Sequence, residues 1–201
     1  MSTDALFDQL KHPNPYMRER AMVELAEAQA PGTIEKLLAN LGEDDVVYRR
    51  ASVKALGVMG ADAVPPIAKL LLESDNVTVR SSCAKALAQH ALNCGDDPFP
   101  QAGLDALKVS VNEDNPVVHI ASAMALGEIG PAALEIVTST LHSTENLSLA
   151  VALTNALAAI GTEEAAATLQ DIAADETTEG YVRESATSAL SRIDMVKQYS
   201  R

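Results

Sequence analysis

Apolar and small side chains recur along the chain at three- and four-residue steps, and this local rhythm sits inside a longer one. Around positions 18, 49, 80, 119, 150 and 183 the same pattern returns, each time with a leucine seven residues on: Leu25, Leu56, Leu87, Leu126, Leu157 and Leu190. Steps of three and four place side chains on one face of an α-helix. The six positions are 31, 31, 39, 31 and 33 residues apart. In-phase copies at such a period predict stacked supersecondary units, because one helical pair cannot bury its apolar face alone.

Each copy reads as two helices. An Asp or Asn, often beside a Pro, marks the start, where a short polar side chain accepts from unpaired N–H groups. Gly60, Gly130 and Gly161 mark stops. Second helices are predicted over Ile34–Leu41, Val64–Leu72, Leu104–Val111, Leu134–Leu141 and Ala165–Ile172, and Asp4–Leu10 reads as a lone leading half-repeat. Three places after each anchor stands a small residue (Ala21, Ser52, Cys83, Ser122, Ala186), except for Leu153. The expectation is an all-α, right-handed α-solenoid of about six helical-hairpin repeats, one domain over residues 1–201. The 39-residue step carries eight residues more than its neighbours and predicts an insertion loop near 93–100.

Composition narrows the function. Of 201 residues, 47% are hydrophobic but only 3% aromatic, which suits helices rather than a sandwich or barrel. The net charge of -13, with no basic run, argues against nucleic acid as a partner. Two cysteines cannot form a disulfide framework and suit a reducing compartment. Met1–Asp4 has no signal-peptide character, and no apolar stretch nears the roughly 20 residues of a membrane span. A cytoplasmic protein without membrane insertion is expected.

Candidate chemistry is sparse. The anchors Arg18, Arg49, Arg80 and Arg183, with Asp45, Asp75 and Asp114 ahead of them, have two readings. One is a ladder of side-chain bonds pinning repeat to repeat; the other is a row of cations for ligand carboxylates. His119 and Ala150 interrupt the row. In the insertion, His90 and Cys94 are four apart and share a face if the helix runs that far, and an imidazolium beside a thiol would activate it. Phe99 is an anchor for the loop or a binding contact. Cys83 reads as a packing residue. His12 and His142 lie near helix ends. There is no CxxC, HExxH, GxSxG or phosphate loop, and no His precedes a Glu, so no metal site is expected. Ile193, Met195, Val196 and Tyr199 make the last helix apolar enough to suggest a partner at that end.

The frame Asp-x-x-Val-Arg-x-x-Ala-x-x-Ala-Leu-Gly, best seen in Asp75–Leu87 and Asp114–Gly130, resembles the short HEAT-like repeat of the E/F-type phycobilin lyases. The resemblance covers nearly the whole chain and fits the smaller, F-like member or the related Z-type chaperone-like protein. It implies work in phycobiliprotein maturation: a bilin lyase subunit, of the carbon–sulfur lyase class, or a chaperone only. It implies an open-chain phycobilin as transient ligand and no tightly bound cofactor. The implied partners are an apo-phycobiliprotein subunit and a larger HEAT-repeat lyase subunit in a heterodimer. Lyase-isomerases of this type carry a His-Cys dipeptide, and no His here directly precedes a Cys. On this reading His90 and Cys94 are the catalytic candidates, and Arg49, Arg80, His119 and Phe99 the bilin- or partner-binding ones. The alternative is a non-catalytic scaffold gripping a protein.

Overall fold

A computed structural model of the chain describes residues 1–94 and 99–199, with side chains through residue 195. Every regular element among the described residues is helical. Two compact units divide the chain, 1–106 and 107–201.

In the first unit, α1 (Thr3–Gln9) precedes α2 (Pro15–Ala28), α3 (Thr33–Ala39), α4 (Val46–Val58), α5 (Val64–Glu73) and α6 (Val77–Asn93). The anchor-bearing helices stack in order, α2 on α4 and α4 on α6, while α3 and α5 pack on their partners. The boundary between units falls within α7 (Gln101–Ser110). The second unit holds α8 (Pro116–Ile129), α9 (Leu134–Ser143), α10 (Leu147–Ile160), α11 (Glu163–Ala174) and α12 (Gly180–Tyr199). There α8 packs on α10 and α10 on α12.

The repeat leucines explain the stacking. Leu25, Leu56, Leu87, Leu126 and Leu157 are completely buried, each contributing about 1.5–3 kcal/mol relative to an exposed side chain. Leu190, in the last helix, is only half-buried. The glycine after two of these leucines permits close approach. A Cβ on Gly57 would lie 2.4 Å from Gln89 Cβ and 2.9 Å from its carbonyl carbon, and one on Gly127 would lie 3.0 Å from Ala156 Cα. Two small anchor+3 residues also make buried hydrogen bonds, Ser52 Oγ with Asn40 Nδ2 at 3.3 Å and Ser122 Oγ with Ser110 Oγ at 2.7 Å.

The helix starts follow local chemistry, with one adjustment. Asp45 Oδ1 accepts from the Val47 and Tyr48 N–H groups at 2.8 and 3.2 Å. In the next two repeats the cap is not Asp75 or Asp114 but the following residue. Asn76 accepts from Thr78 at 2.8 Å and Asn115 from Val117 at 3.0 Å. A side chain one residue further back cannot reach these N–H groups. Each cap is worth about 1 kcal/mol.

The apolar-length expectation needs correction. Pro116–Ser143, 28 residues, is long and apolar enough to cross a membrane by length and composition. It is nevertheless two helices, α8 and α9, broken at Gly130, whose φ of 81° ends α8, and more than half of its most apolar window is buried in the protein. Core packing of a helical hairpin accounts for its hydrophobicity.

The predicted insertion near 93–100 lies in part on residues 95–98, outside the described residues. At the C-terminal end, Ile193 is buried and Met195 exposed; Val196 and Tyr199 side chains lie outside the described residues.

Candidate functional site

The anchor side chains bond backbone carbonyls upstream of them. Arg18 Nη1 donates to the carbonyls of His12 and Pro13 at 2.6 and 2.9 Å. Arg49 Nη1 donates to Glu43 O. Arg80 Nε donates to Leu71 O at 2.8 Å, and Arg183 Nε to Ala173 O at 3.5 Å. His119, 1% exposed, bonds Glu113 O through Nδ1 at 3.0 Å. Each acceptor lies in the turn or helix end just upstream, where carbonyls lack intrahelical partners. The pinning of one element to the next is therefore real, and the hydrogen-bond acceptors found for it among the described residues are carbonyls. Asp45 caps its own helix. The ion pairs found among the described residues are Arg20–Glu24, Lys36–Asp4 and Lys69–Glu73.

His90 lies in the last turn of α6, and Cys94 stands just past the end of that helix. Helix α6 ends at Asn93, and Cys94 is its C-cap, its N–H donating to His90 O at 2.9 Å. His90 is buried, and the Phe99 ring meets it edge-on with centroids 5.8 Å apart. Gly103 makes room for that ring: a Cβ there would lie 2.6 Å from Phe99 Cε1 and 3.0 Å from Val64 Cγ1. Phe99 thus ties the segment after the insertion to α6. Cys83 is completely buried, and burial pushes its thiol up to about 12, so it supplies no thiolate near neutral pH. The other histidines serve local structure: His12 Nδ1 accepts from Asn14 N–H at 3.0 Å, and His142 Nδ1 bonds Thr138 O at 2.8 Å. No group of three or more potential metal ligands occurs among the described residues.

A more suggestive feature is a groove of about 250 Å³ between α2 and α4. Arg18, Arg50 and Lys54 supply its cations, and Met22, Val46 and Val47 much of its apolar lining. Val46 and Val47 are exposed, as is Tyr16 (70%) on the first turn of α2. Glu19 also lines the groove, so three cations against one carboxylate leave a local excess of positive charge beside exposed apolar surface, on a chain of net charge -13; that set suits an amphipathic anion. Arg50 and Lys54 escaped the sequence reading, which followed the repeat frame. Their only signal is four-residue spacing on one helix face, and their meeting with Arg18 depends on helix packing.

The chain matches the family of HEAT repeats over residues 3–93 and 104–191. It is 47% identical, over the whole length of both proteins, to the "Uncharacterized phycocyanin operon protein Z" of Pseudanabaena tenuis (strain PCC 7409). It is 37% identical over 107 residues to the bilin biosynthesis protein CpeZ of Synechococcus sp. (strain WH8020), covering 53% of this chain and 58% of that one. Among solved structures, the complex of CpcE and CpcF of phycocyanin lyase from Nostoc sp. PCC7120 shares the fold. The TM-score is 0.51 at 16% identity, over 77% of this chain and 96% of that one. The chain belongs to the HEAT-repeat proteins and, by its full-length identity, to the same family as the phycocyanin operon protein Z.

Proposed function

We propose that the protein acts in phycobiliprotein biosynthesis, as a subunit or chaperone-like partner of a bilin lyase. It holds an open-chain phycobilin, or the apo-phycobiliprotein, while the pigment is joined to a cysteine thiol as a thioether. The observation that carries this reading is the full-length identity to a phycocyanin operon protein, in a chain that also matches a bilin biosynthesis protein. The cytoplasm is the proposed setting.

The α2–α4 groove supports it chemically. Bilin propionates would meet Arg18, Arg50 and Lys54, and the ring edges would lie on Met22, Val46 and Val47. At about 250 Å³ the groove is smaller than the roughly 300–1,000 Å³ that encloses a drug-sized ligand. It can seat only one end of a tetrapyrrole. A second protein surface would cover the rest, which is the role proposed for a larger HEAT-repeat lyase subunit in a heterodimer. Attachment then proceeds by holding an electrophilic pigment against an external thiol, and positioning alone supplies much of the acceleration.

The test is co-expression with a bilin-producing pathway and phycobiliprotein subunits, with and without a larger HEAT-repeat partner. Covalent pigment is read by zinc fluorescence on a denaturing gel. Pigment that requires this chain supports the lyase-subunit role. A higher yield of soluble subunit without new covalent pigment assigns it to chaperoning. No effect on either removes the proposal and leaves a general protein scaffold.

A further inference from the structure

The fifth anchor is Ala150, and its repeat contains a cavity. Elsewhere the anchor side chain reaches a carbonyl five to ten residues upstream, as Arg18, Arg49, Arg80, His119 and Arg183 do. Counted back from Ala150, that window is residues 140–145, the end of α9 and the turn after it. Ala150 has no atom beyond Cβ to fill the space. A cavity of about 390 Å³ lies there, with Leu141, Thr144 and Ala150 along one side.

The other side is acidic. Asp175 and Glu179, from the turn between α11 and α12, line the cavity together with Glu145. Two of these carboxylates are held in place. Asp175 accepts from Thr177 N–H at 2.9 Å and from the Thr177 and Thr178 hydroxyls at 2.7 and 3.1 Å, and these bonds hold its carboxyl below its ordinary value. Glu179 accepts from Tyr181 N–H at 2.7 Å. Among the described residues no Lys or Arg lines the cavity, although Arg183, beside the lining Val182, adds a smaller electrostatic pull on the Asp175 carboxyl; the basic side chain in the lining, His142, has Nδ1 bonded to Thr138 O. The site therefore combines helix-end carbonyls, anions and an apolar floor, a set that matches a guanidinium.

We propose that this cavity receives an arginine side chain from a partner polypeptide, which takes the place that an anchor arginine fills in four other repeats. The guanidinium donates to the carbonyls at the end of α9 and to the facing carboxylates, and its methylenes lie on Leu141 and Val182. The repeat that lacks its own anchor becomes a socket for one supplied from outside. This does not rest on pigment handling, and its test contains no pigment, so either idea can fail without the other.

The full chain, labelled with ¹⁵N, is titrated with N-acetyl-arginine amide and, separately, with the uncharged N-acetyl-citrulline amide. The expected result is saturable shifts of the Thr144, Glu145, Ala150, Thr178 and Glu179 amides with arginine, and a response about tenfold weaker with citrulline. Ala150→Arg places a guanidinium in the cavity from within; it should abolish these shifts and raise the melting temperature. Should that variant not fold, the double variant Glu145→Gln/Glu179→Gln decides, with arginine binding expected to weaken about fivefold or more. Absence of saturable shifts, equal responses to arginine and citrulline, or an undiminished response in a folded Ala150→Arg protein would each overturn the proposal.

Discussion

The repeats built on α4 and α10 follow one frame and end with opposite chemistry. In the α4 repeat, Arg49 closes the upstream turn, Ser52 is a small residue bonded to Asn40, and Arg50 and Lys54 face a cationic groove. In the α10 repeat, Ala150 leaves that turn open, a fully buried Leu153 replaces the small residue, and the adjoining cavity is acidic. The α10 repeat thus departs from the frame twice, whereas the α8 repeat departs only at its anchor, His119. The core leucines Leu56 and Leu157 are equally buried in the α4 and α10 repeats, so the fold tolerates the exchange. Packing constrains the inner face of each helix, while the anchor and the exposed residues beside it are free to set local charge.

The contrast can be broken most sharply at the groove. Arg50→Glu/Lys54→Glu should lower the yield of covalently attached pigment about tenfold or more, since each lost charge-assisted bond is worth roughly 1.5–3 kcal/mol. Ala150→Arg should leave that yield within about twofold, because an independent site adds no coupling. Pigment gels on both variants check this, and equal losses would erase the distinction between the regions.

A smaller effect is expected at Gly57. Its Cβ position is blocked by Gln89, including backbone, so Gly57→Ala should destabilise the protein by about 1–3 kcal/mol despite the better helix propensity of alanine. The corresponding position on α10 is already Ala158. Gly127→Ala, which meets Ala156 at 3.0 Å rather than 2.4 Å, should cost less. Urea unfolding of the two variants gives the ranking.

The smallest change is expected at the anchor itself. Arg49→Ala should cost about 1 kcal/mol, the net worth of one hydrogen bond from a half-exposed charged group. Thermal melts detect the cost.

Much of this was legible in the residues. The leucine period located the stacked helices, because burying one helix face is a local, periodic demand. The caps were legible as an Asp or Asn at each start: Asp45, Asn76 and Asn115 fill that place, and where Asp and Asn stand side by side the one adjoining the first turn caps it because only its side chain reaches the free N–H groups. The exceptions Ala150 and Leu153 were visible as breaks in the frame, but not as a cavity. The proposed His90–Cys94 face depended on where α6 stops, and it stops at Asn93.

The sequence by itself determined the helical class, the period, the buried leucines and the acidic charge, since each follows from side-chain type and spacing along one helix. It took the packing of the helices to show that anchor arginines bond carbonyls, that Arg18, Arg50 and Lys54 line one groove, and that Glu145, Asp175 and Glu179 line one cavity. Those neighbours come from different helices, and their distances are set by how closely the helices pack.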